Sequence, residues 1–234
     1  MNLAPRMTEA ATGGVWSAIL LSLRLAGTTV ILLMLIATPL AWWLAHSRRR
    51  WKVFVEAIVA LPLVLPPTVL GFYLLLAFAP QGFLGSAWLQ LTGAPLAFTF
   101  EGLVIASVLY SLPFVVQPLQ GAFEGVGRKY LELAWCLRAS RIDAFLTVAS
   151  PLALRGYVTA LVLGFAHTLG EFGVVLMVGG NIPGETRVLS IALYDQVEML
   201  DYAGAHRLAA GLLLFSFVVL LAVYVFNRRA LVRP

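Results

Sequence analysis

Long apolar stretches without any Asp, Glu, Lys or Arg alternate along the chain with short segments that hold nearly all of the charge. A helix needs roughly 20 mostly apolar residues to cross about 30 Å of hydrocarbon. Four uncharged stretches are long enough, at residues 25–47, 57–100, 102–123 and 208–227. The pattern predicts an all-α, polytopic membrane protein with about five transmembrane helices. These spans are expected at about residues 17–45, 54–79, 98–120, 154–178 and 206–227.

Helix-breaking residues interrupt two apolar regions. Pro62, Pro66 and Pro67 fall early in the second span, and each removes a helical hydrogen bond, so this helix is predicted to be bent or broken. Freed backbone groups at membrane depth are tolerated where they are buried in protein or line a water-filled cavity. The bend is interpreted either as a packing kink or as a helix shaped around a translocation path. Between residues 81 and 95, glycines and a proline favour an outer loop or a short interfacial helix over a sixth span.

The composition fits one membrane domain over residues 1–234. Hydrophobic residues make up 61% of the chain and charged residues only 12%, whereas soluble domains carry about 25% charged residues. The net charge of +5 lies mainly in short loops, which favours a lipid bilayer as the partner and argues against nucleic acid. The single Cys136 excludes an internal disulfide, and three scattered histidines predict no metal site.

The basic residues predict the orientation of the chain, because short cytoplasmic loops carry an excess of Lys and Arg. Twelve lie at one set of span ends: Arg48, Arg49, Arg50, Lys52, Arg128, Lys129, Arg138, Arg141, Arg155, Arg228, Arg229 and Arg233. Three lie at the opposite ends: Arg6, Arg187 and Arg207. The N-terminus is therefore predicted to be outside and the C-terminus inside.

Two ionisable residues fall within predicted spans, where a charge is costly and indicates function by default. Arg24 and Glu171 each lie about seven residues inside the outer end of a span, which places both roughly 10 Å deep. Their matched depth and opposite charge predict an ion pair between the first and fourth spans.

The chain carries no signature of an enzyme. A phosphate-cradling loop requires Gly-Lys followed by Ser or Thr, but neither Lys52 nor Lys129 follows a glycine or precedes a Ser or Thr. No nucleophile with an adjacent base stands out. The chain is not expected to hydrolyse ATP itself, and no cofactor is expected.

The longest cytoplasmic segment, at about residues 121–150, is predicted to hold an amphipathic helix and a second short helix. Four apolar side chains recur at helical spacing: Leu131, Leu133, Ala134 and Leu137. The segment is interpreted either as a helix on the membrane surface or as a docking element for a soluble partner.

This segment resembles the coupling motif in the permease subunits of ABC importers, which reads Glu-Ala-Ala, then Gly, then Leu-Pro at the next span. Glu132 sits one place late relative to the motif, and Arg138 occupies the usual Gly position. Because Arg accepts a positive φ less readily than Gly, the turn is expected to be helical or shifted to residues 139–140. The resemblance implies that an ATPase couples through the following residues: Leu131, Glu132, Leu133, Ala134, Trp135, Leu137, Arg138, Ala139 and Pro151.

Three further segments resemble the molybdate branch of these permeases and occur in the same order: residues 61–71, 169–173 and 181–187. The resemblance covers about residues 20–227. It implies a permease subunit that translocates molybdate across a bacterial or archaeal inner membrane. The implied partners are a second copy of the chain, a cytoplasmic ABC ATPase dimer that binds the ATP, and a periplasmic oxyanion-binding protein.

These segments supply the candidate pathway and gate residues: Pro62, Pro66, Pro67, Gly170, Glu171, Phe172, Gly173, Asn181, Thr186 and Arg187. The last three offer hydrogen-bond donors near the predicted outer mouth. There Arg187 is interpreted either as an attractor for anions or as an ordinary loop arginine. A bare carboxylate in a path of low dielectric would repel a dianion, so Glu171 is expected to have a structural or gating role.

The nearest alternative is a sulfate, thiosulfate or tungstate permease of the same architecture, because the Gly-Glu-Phe-Gly element is also similar to sulfate permeases. A channel or secondary transporter that works without ATP is less favoured. Such transporters often contain internal repeats, and no convincing repeat occurs here.

Overall fold

The structure is a computed structural model that describes the backbone of residues 4–229 and the side chains of residues 14–225. Every regular element within residues 4–229 is helical, which confirms the predicted all-α fold. A π-helical turn covers Phe145–Ala149. The α-helices are α1 (Ala4–His46), α2 (Lys52–Val64), α3 (Pro67–Phe78), α4 (Phe83–Thr92), α5 (Phe100–Val126), α6 (Arg128–Cys136), α7 (Arg141–Ala144), α8 (Ser150–Leu152), α9 (Leu154–Gly170), α10 (Gly173–Gly179), α11 (Leu189–Glu198) and α12 (Tyr202–Arg229).

Three described helices are long and apolar enough to cross a membrane on their own: residues 14–46 of α1, the whole of α5 and residues 202–225 of α12. Two bent pairs meet the same criterion if each counts as one span, which makes up to five. One pair is α2 with α3, bent by 111°, and the other is residues 141–152 with α9, bent by 72°. The side chains of four basic residues used to predict orientation lie outside the described range: Arg6, Arg228, Arg229 and Arg233.

The predicted break in the second span is confirmed. Helix α2 continues through Pro62 to Val64, and α3 starts at Pro67 with Pro66 as its N-cap. Proline is tolerated in the first turn of a helix, because the missing N–H has no intrahelical partner there. The paired prolines therefore end one helix and start the next. The segment between residues 81 and 95, where an outer loop or short helix was expected, contains α4.

Helices α1, α5 and α9 form the centre of the described chain. Leu33 and Val115 are fully buried there. A Cβ at Gly164 of α9 would lie 2.6 Å from Val115 Cγ2, and one at Gly156 would clash with Ala122 Cβ. Small residues at helix interfaces let backbones approach closely in membranes. The two glycines therefore set the spacing between α9 and α5.

Helix α12 contrasts with this centre, because only 6% of its apolar window is buried inside the chain. Its apolar side chains, including Leu213 and Phe217, point outward. A helix that is hydrophobic all round is compatible with a membrane environment. We therefore assign its surface to lipid or to another apolar helix.

The prediction of a continuous fourth span at residues 154–178 is wrong. Helix α9 ends at Gly170, and α10 starts again at Gly173 after two non-helical residues. Ser190 Oγ of α11 donates a hydrogen bond of 2.6 Å to the carbonyl oxygen of Glu171 at this break. An acceptor left over at the end of α9 is thereby satisfied from another helix.

Gly173 provides the first test of the fold. A Cβ there would lie 2.7 Å from Pro67 Cβ, whereas one at Gly170 has no neighbour within 4 Å. We expect Gly173→Ala to destabilise the chain by about 1–3 kcal/mol through overpacking. The control Gly170→Ala is expected to change stability by about 0.5 kcal/mol or less. Thermal melting of the purified variants in detergent checks this, and equal melting temperatures for the two variants would contradict the close contact.

Candidate functional site

The two helix breaks meet at one place in the molecule. Helix α3 begins at Pro67 directly after the first break, and α10 begins at Gly173 directly after the second. Gly173 faces Pro67, and a Cβ at Gly71 would lie 2.8 Å from Met177 Cβ. Because side chains larger than hydrogen do not fit at either glycine, α3 and α10 lie in direct contact.

An open cavity of about 530 Å³ lies beside this contact. Its lining residues are Pro67, Thr68, Tyr110, Ala166, His167, Gly170, Glu171, Phe172 and Gly173. Five candidate pathway residues, Pro67 and the run 170–173, are thus brought together. Pro62 and Pro66 do not line the cavity, although Pro66 caps the helix that does.

Glu171 is the charged residue in this lining, and its side chain is only 5% exposed. Among the described residues neither carboxyl oxygen accepts a hydrogen bond of standard geometry, although the hydroxyl of Ser107 on α5 lies close enough to interact with the carboxylate. A buried polar group without a partner costs free energy. The arrangement leaves these polar atoms available at the wall of a cavity, which is typical of a functional position.

The predicted ion pair between Arg24 and Glu171 is wrong. Arg24 is exposed, and its guanidinium carbon lies 4.4 Å from the ring centroid of Phe100, the first residue of α5. The Glu171 oxygens contact no cation among the described side chains. The prediction placed Arg24 and Glu171 at equal depth by counting residues from the expected start of each span. Helix α1 starts at Ala4, well before the expected start at about residue 17. Arg24 therefore lies level with the beginning of α5 and forms a cation–π contact.

His167 is fixed between α5 and α9 at the edge of the cavity. Its Nδ1 lies 2.9 Å from Ser111 Oγ, and Ser111 Oγ lies 3.1 Å from Thr168 Oγ1. The imidazole also stacks on Phe114, with the centroids 3.7 Å apart. The ring is thus held in one orientation by contacts from the neighbouring helix, and it forms a rigid part of the cavity wall.

The outer-mouth candidates form a separate cluster with its own internal bonds. Arg187 Nη2 lies 2.8 Å from Asp195 Oδ2, and Arg187 Nε donates to Asn181 Oδ1 at 2.6 Å. Asn181 Nδ2 donates to Asp195 Oδ1 at 2.8 Å. Thr186 is fully buried, and its hydroxyl donates to the Gly179 carbonyl at 2.6 Å. These contacts fix the conformation of the loop at residues 181–187, and the carboxylate of Asp195 neutralises the charge of Arg187.

The loop after α5, which is predicted to be cytoplasmic, packs against the end of α1. The rings of Trp42 and Phe145 pack edge-on with their centroids 4.9 Å apart. Leu131 and Ala134 of α6 are buried. Leu133 and Leu137 recur with them at helical spacing but are exposed, Leu137 by 84%. The remaining coupling candidates Glu132, Trp135, Arg138 and Pro151 are also exposed, and Ala139 is half-buried.

The turn after α6 differs from the prediction. Arg138 itself has a φ of +66°, in the left-handed region, and the next helix, α7, starts at Arg141. The turn is therefore neither helical nor shifted to residues 139–140. The Arg138 backbone takes the conformation for which glycine is favoured, and the hydrogen bond from Ala139 N to the Ala134 carbonyl, 3.0 Å long, closes α6 in this form.

Comparison with known proteins gives the family. The model of the family described as "Binding-protein-dependent transport system inner membrane component" matches residues 37–232. The chain belongs to this family of permeases. The family description places the permease in the inner membrane, in agreement with its multiple apolar helices.

Relatives include permeases of molybdenum and sulfate transport systems. The permease is 58% identical over 208 residues to "Molybdenum transport system permease protein ModB" of Azotobacter vinelandii, which covers 89% of this chain and 92% of the relative. It is 35% identical over 204 residues to the protein of that name from Escherichia coli K12, covering 87% and 88% of the two chains. A "Probable sulfate transport system permease protein cysT" from Zygnema circumcarinatum is 35% identical over 193 residues, covering 81% and 66%.

A solved structure supports the fold. A bacterial ABC transporter involved in the import of the acidic polysaccharide alginate superimposes on the permease with a TM-score of 0.69 at 16% identity. The match covers 93% of this chain and 79% of that chain. At this identity the likeness establishes the fold alone.

Several residues that contribute to the site were not identified from the sequence. Thr68 and Tyr110 line the cavity, Ser107 lies beside Glu171, and Ser190 holds the second break. Asp195 neutralises Arg187. Hydroxyl groups inside otherwise uncharged spans were the available signal for Ser107 and Tyr110, but their assembly depends on contacts between helices far apart in the chain.

A double-mutant cycle tests the separation of Arg24 from Glu171. We expect Arg24→Gln to cost about 0.5–1 kcal/mol through loss of the contact with Phe100. We expect Glu171→Gln not to lower stability, because no ion pair is lost among the described residues and the amide oxygen of Gln can replace the carboxyl oxygen beside Ser107. The two effects should add within about 0.5 kcal/mol in the double variant. Thermal melting of all four proteins checks this. A coupling energy above about 1 kcal/mol would show that Arg24 and Glu171 interact.

Arg138 gives a second test, at the cytoplasmic turn. A left-handed conformation costs a residue with a side chain roughly 1–2 kcal/mol relative to glycine. We therefore expect Arg138→Gly to be more stable than the matched control Arg138→Ala by about 1 kcal/mol. Both variants remove the charge, so their difference in melting temperature reports the backbone alone. If the alanine variant melts as high as the glycine variant, residue 138 does not have a positive φ.

Proposed function

We propose that the permease is the membrane-spanning subunit of an ABC importer that translocates molybdate. The observation that carries this proposal is the 58% identity, over nearly the full length of both chains, to a molybdenum transport permease. The 35% level is shared by molybdenum and sulfate relatives and does not separate the two anions. The molybdenum relative at 58% favours molybdate, and sulfate, thiosulfate and tungstate are the alternative substrates.

The proposed complex contains two copies of the permease, a cytoplasmic ATPase dimer and a periplasmic binding protein. The family description supports the binding protein, because transport in this family depends on one. ATP and its cofactor metal would be bound by the ATPase, and the permease itself would have no enzymatic role. Two copies are proposed because the described part of one chain contains only three to five helices or bent pairs able to cross a membrane.

The cavity at the two helix breaks is our candidate for part of the pathway. Backbone that departs from helical geometry at membrane depth is tolerated where it lines a cavity, and both breaks border this one. Its lining offers hydroxyl groups from Thr68 and Tyr110 and includes no lysine or arginine. A dianion would be guided there by neutral donors, while Glu171 would disfavour it whenever the carboxyl is ionised. We assign Glu171 to gating for that reason.

The exposed apolar face of the cytoplasmic loop is the candidate docking surface for the ATPase. Leu133, Trp135 and Leu137 lie on this face and are exposed by 54%, 41% and 84%. Apolar and aromatic anchors that fill pockets contribute most of the affinity at protein interfaces. The buried residues Leu131 and Ala134 join this surface to α1, which gives movement of the ATPase a route into the membrane domain.

Transport by the reconstituted complex tests the proposal. In proteoliposomes that contain the permease, its ATPase and its binding protein, we expect molybdate uptake that requires ATP and is competed only weakly by sulfate. A binding protein that carries sulfate provides the control for delivery. Uptake without the ATPase subunit would exclude an ABC importer, and faster uptake of sulfate than of molybdate at equal concentration would favour the alternative substrate.

A further inference from the structure

A second cavity lies at the cytoplasmic end of the molecule, away from the helix breaks. It has a volume of about 450 Å³ and lies between the end of α1, the junction of α5 with α6, and α7. Arg48, Arg128 and Arg141 line it, one from each of these three parts, together with His46. The cavity therefore collects basic side chains that are far apart in the sequence.

The positive charge around this cavity is not balanced within the described chain. None of the three arginines forms an ion pair among residues 14–225. Glu124 is the carboxylate in the lining, and it contacts Lys52 Nζ at 3.7 Å and Gln120 Nε2 at 3.1 Å. Like charges around one space repel each other, so an anion in the cavity would relieve that repulsion.

Backbone donors add to the side chains. Helix α6 has nine residues and starts at Arg128, and its N-cap Gly127 supplies no side-chain hydrogen bond. Gly127 also lines the cavity. The first N–H groups of a helix lack intrahelical partners and, with the helix dipole, favour anions. Guanidinium groups and free N–H groups are the donors that bind phosphate-type oxygens best.

We propose that this cavity binds a tetrahedral oxyanion group, either the headgroup phosphate of an anionic phospholipid or a free oxyanion at the cytoplasmic mouth. Its position fits the first source, since Trp42 and Trp135 also line it and tryptophan is enriched where a membrane meets water. Basic pockets between helices on the cytoplasmic side recognise anionic headgroups by the same chemistry.

The cavity overlaps the proposed docking surface only at Trp135, which belongs to both. Leu133, Leu137 and Ile142 are strongly exposed, and none of them lines the cavity. An ATPase seated on those side chains leaves the basic lining to a smaller ligand. The inference does not rest on molybdate transport, because binding at this site is measured directly and is independent of uptake.

Binding to the purified full-length permease tests the proposal. Short-chain phosphatidylglycerol, short-chain phosphatidylcholine, inorganic phosphate and molybdate are titrated separately by calorimetry. We expect at least one of the anionic probes to bind, and Arg128→Gln with Arg141→Gln to weaken that binding about tenfold or more, since both remove charged hydrogen bonds. The matched control is Arg49→Gln with Arg50→Gln, which removes the same charge from neighbouring positions outside the lining. Melting temperatures verify that both double variants are folded.

The outcomes separate the sources. Binding of phosphatidylglycerol without binding of inorganic phosphate or molybdate assigns the site to a lipid headgroup, and binding of the inorganic anions assigns it to a free oxyanion. The proposal is overturned if no anionic probe binds, or if the control variant weakens binding as much as the lining variant does. It is also overturned if adding the ATPase abolishes probe binding and the lining variant weakens the ATPase complex, since the cavity would then hold an acidic group of the ATPase.

Discussion

The close contact between Gly173 and Pro67 is the constraint on which the rest of the site depends. It joins the start of α10 to the start of α3, and both of these starts are helix breaks. Two interrupted helices leave backbone groups unsatisfied at membrane depth, and such groups need partners or water. Because the two breaks meet, residues from both of them line one cavity. The hydroxyl of Ser190 donates a hydrogen bond to the Glu171 carbonyl oxygen at the end of α9.

The helices around this contact fall into two groups. Helices α1, α5 and α9 are joined by buried apolar residues and close glycine contacts, which makes them the rigid part. Helices α3 and α10 start at the breaks, and Glu171 lies between the two groups without a described cation beside its carboxyl group. At the cytoplasmic end, Trp42 of α1 supports the loop that presents the docking surface. In the proposed complex, movement of that loop would act on helices α1, α5 and α9, against which α3 and α10 would be displaced.

Properties that depend on local sequence were predictable. Apolar length predicted the spans, paired prolines predicted the first break, and helical spacing predicted the short helices within residues 121–150. The second break was missed because no proline or charge run marks residues 171–172, and a hydrogen bond from α11 stabilises it. The pairing of Arg24 was mispredicted because depth along a helix says nothing about which way a side chain points. The turn at Arg138 was misplaced because tertiary packing of α6 and α7 overrides the preference of arginine for negative φ.

Water and substrate are proposed to reach the cavity at the helix breaks. Cysteine labelling tests this access most directly. Cys136 is the only cysteine, so Cys136→Ser provides a clean background for Thr68→Cys in the cavity and Leu213→Cys on the outward face of α12. A membrane-impermeant thiol reagent is applied to the assembled complex, with and without molybdate. We predict fast labelling at position 68 that molybdate slows, and no labelling at position 213. Labelling at position 68 that is as slow as at position 213 would contradict the account.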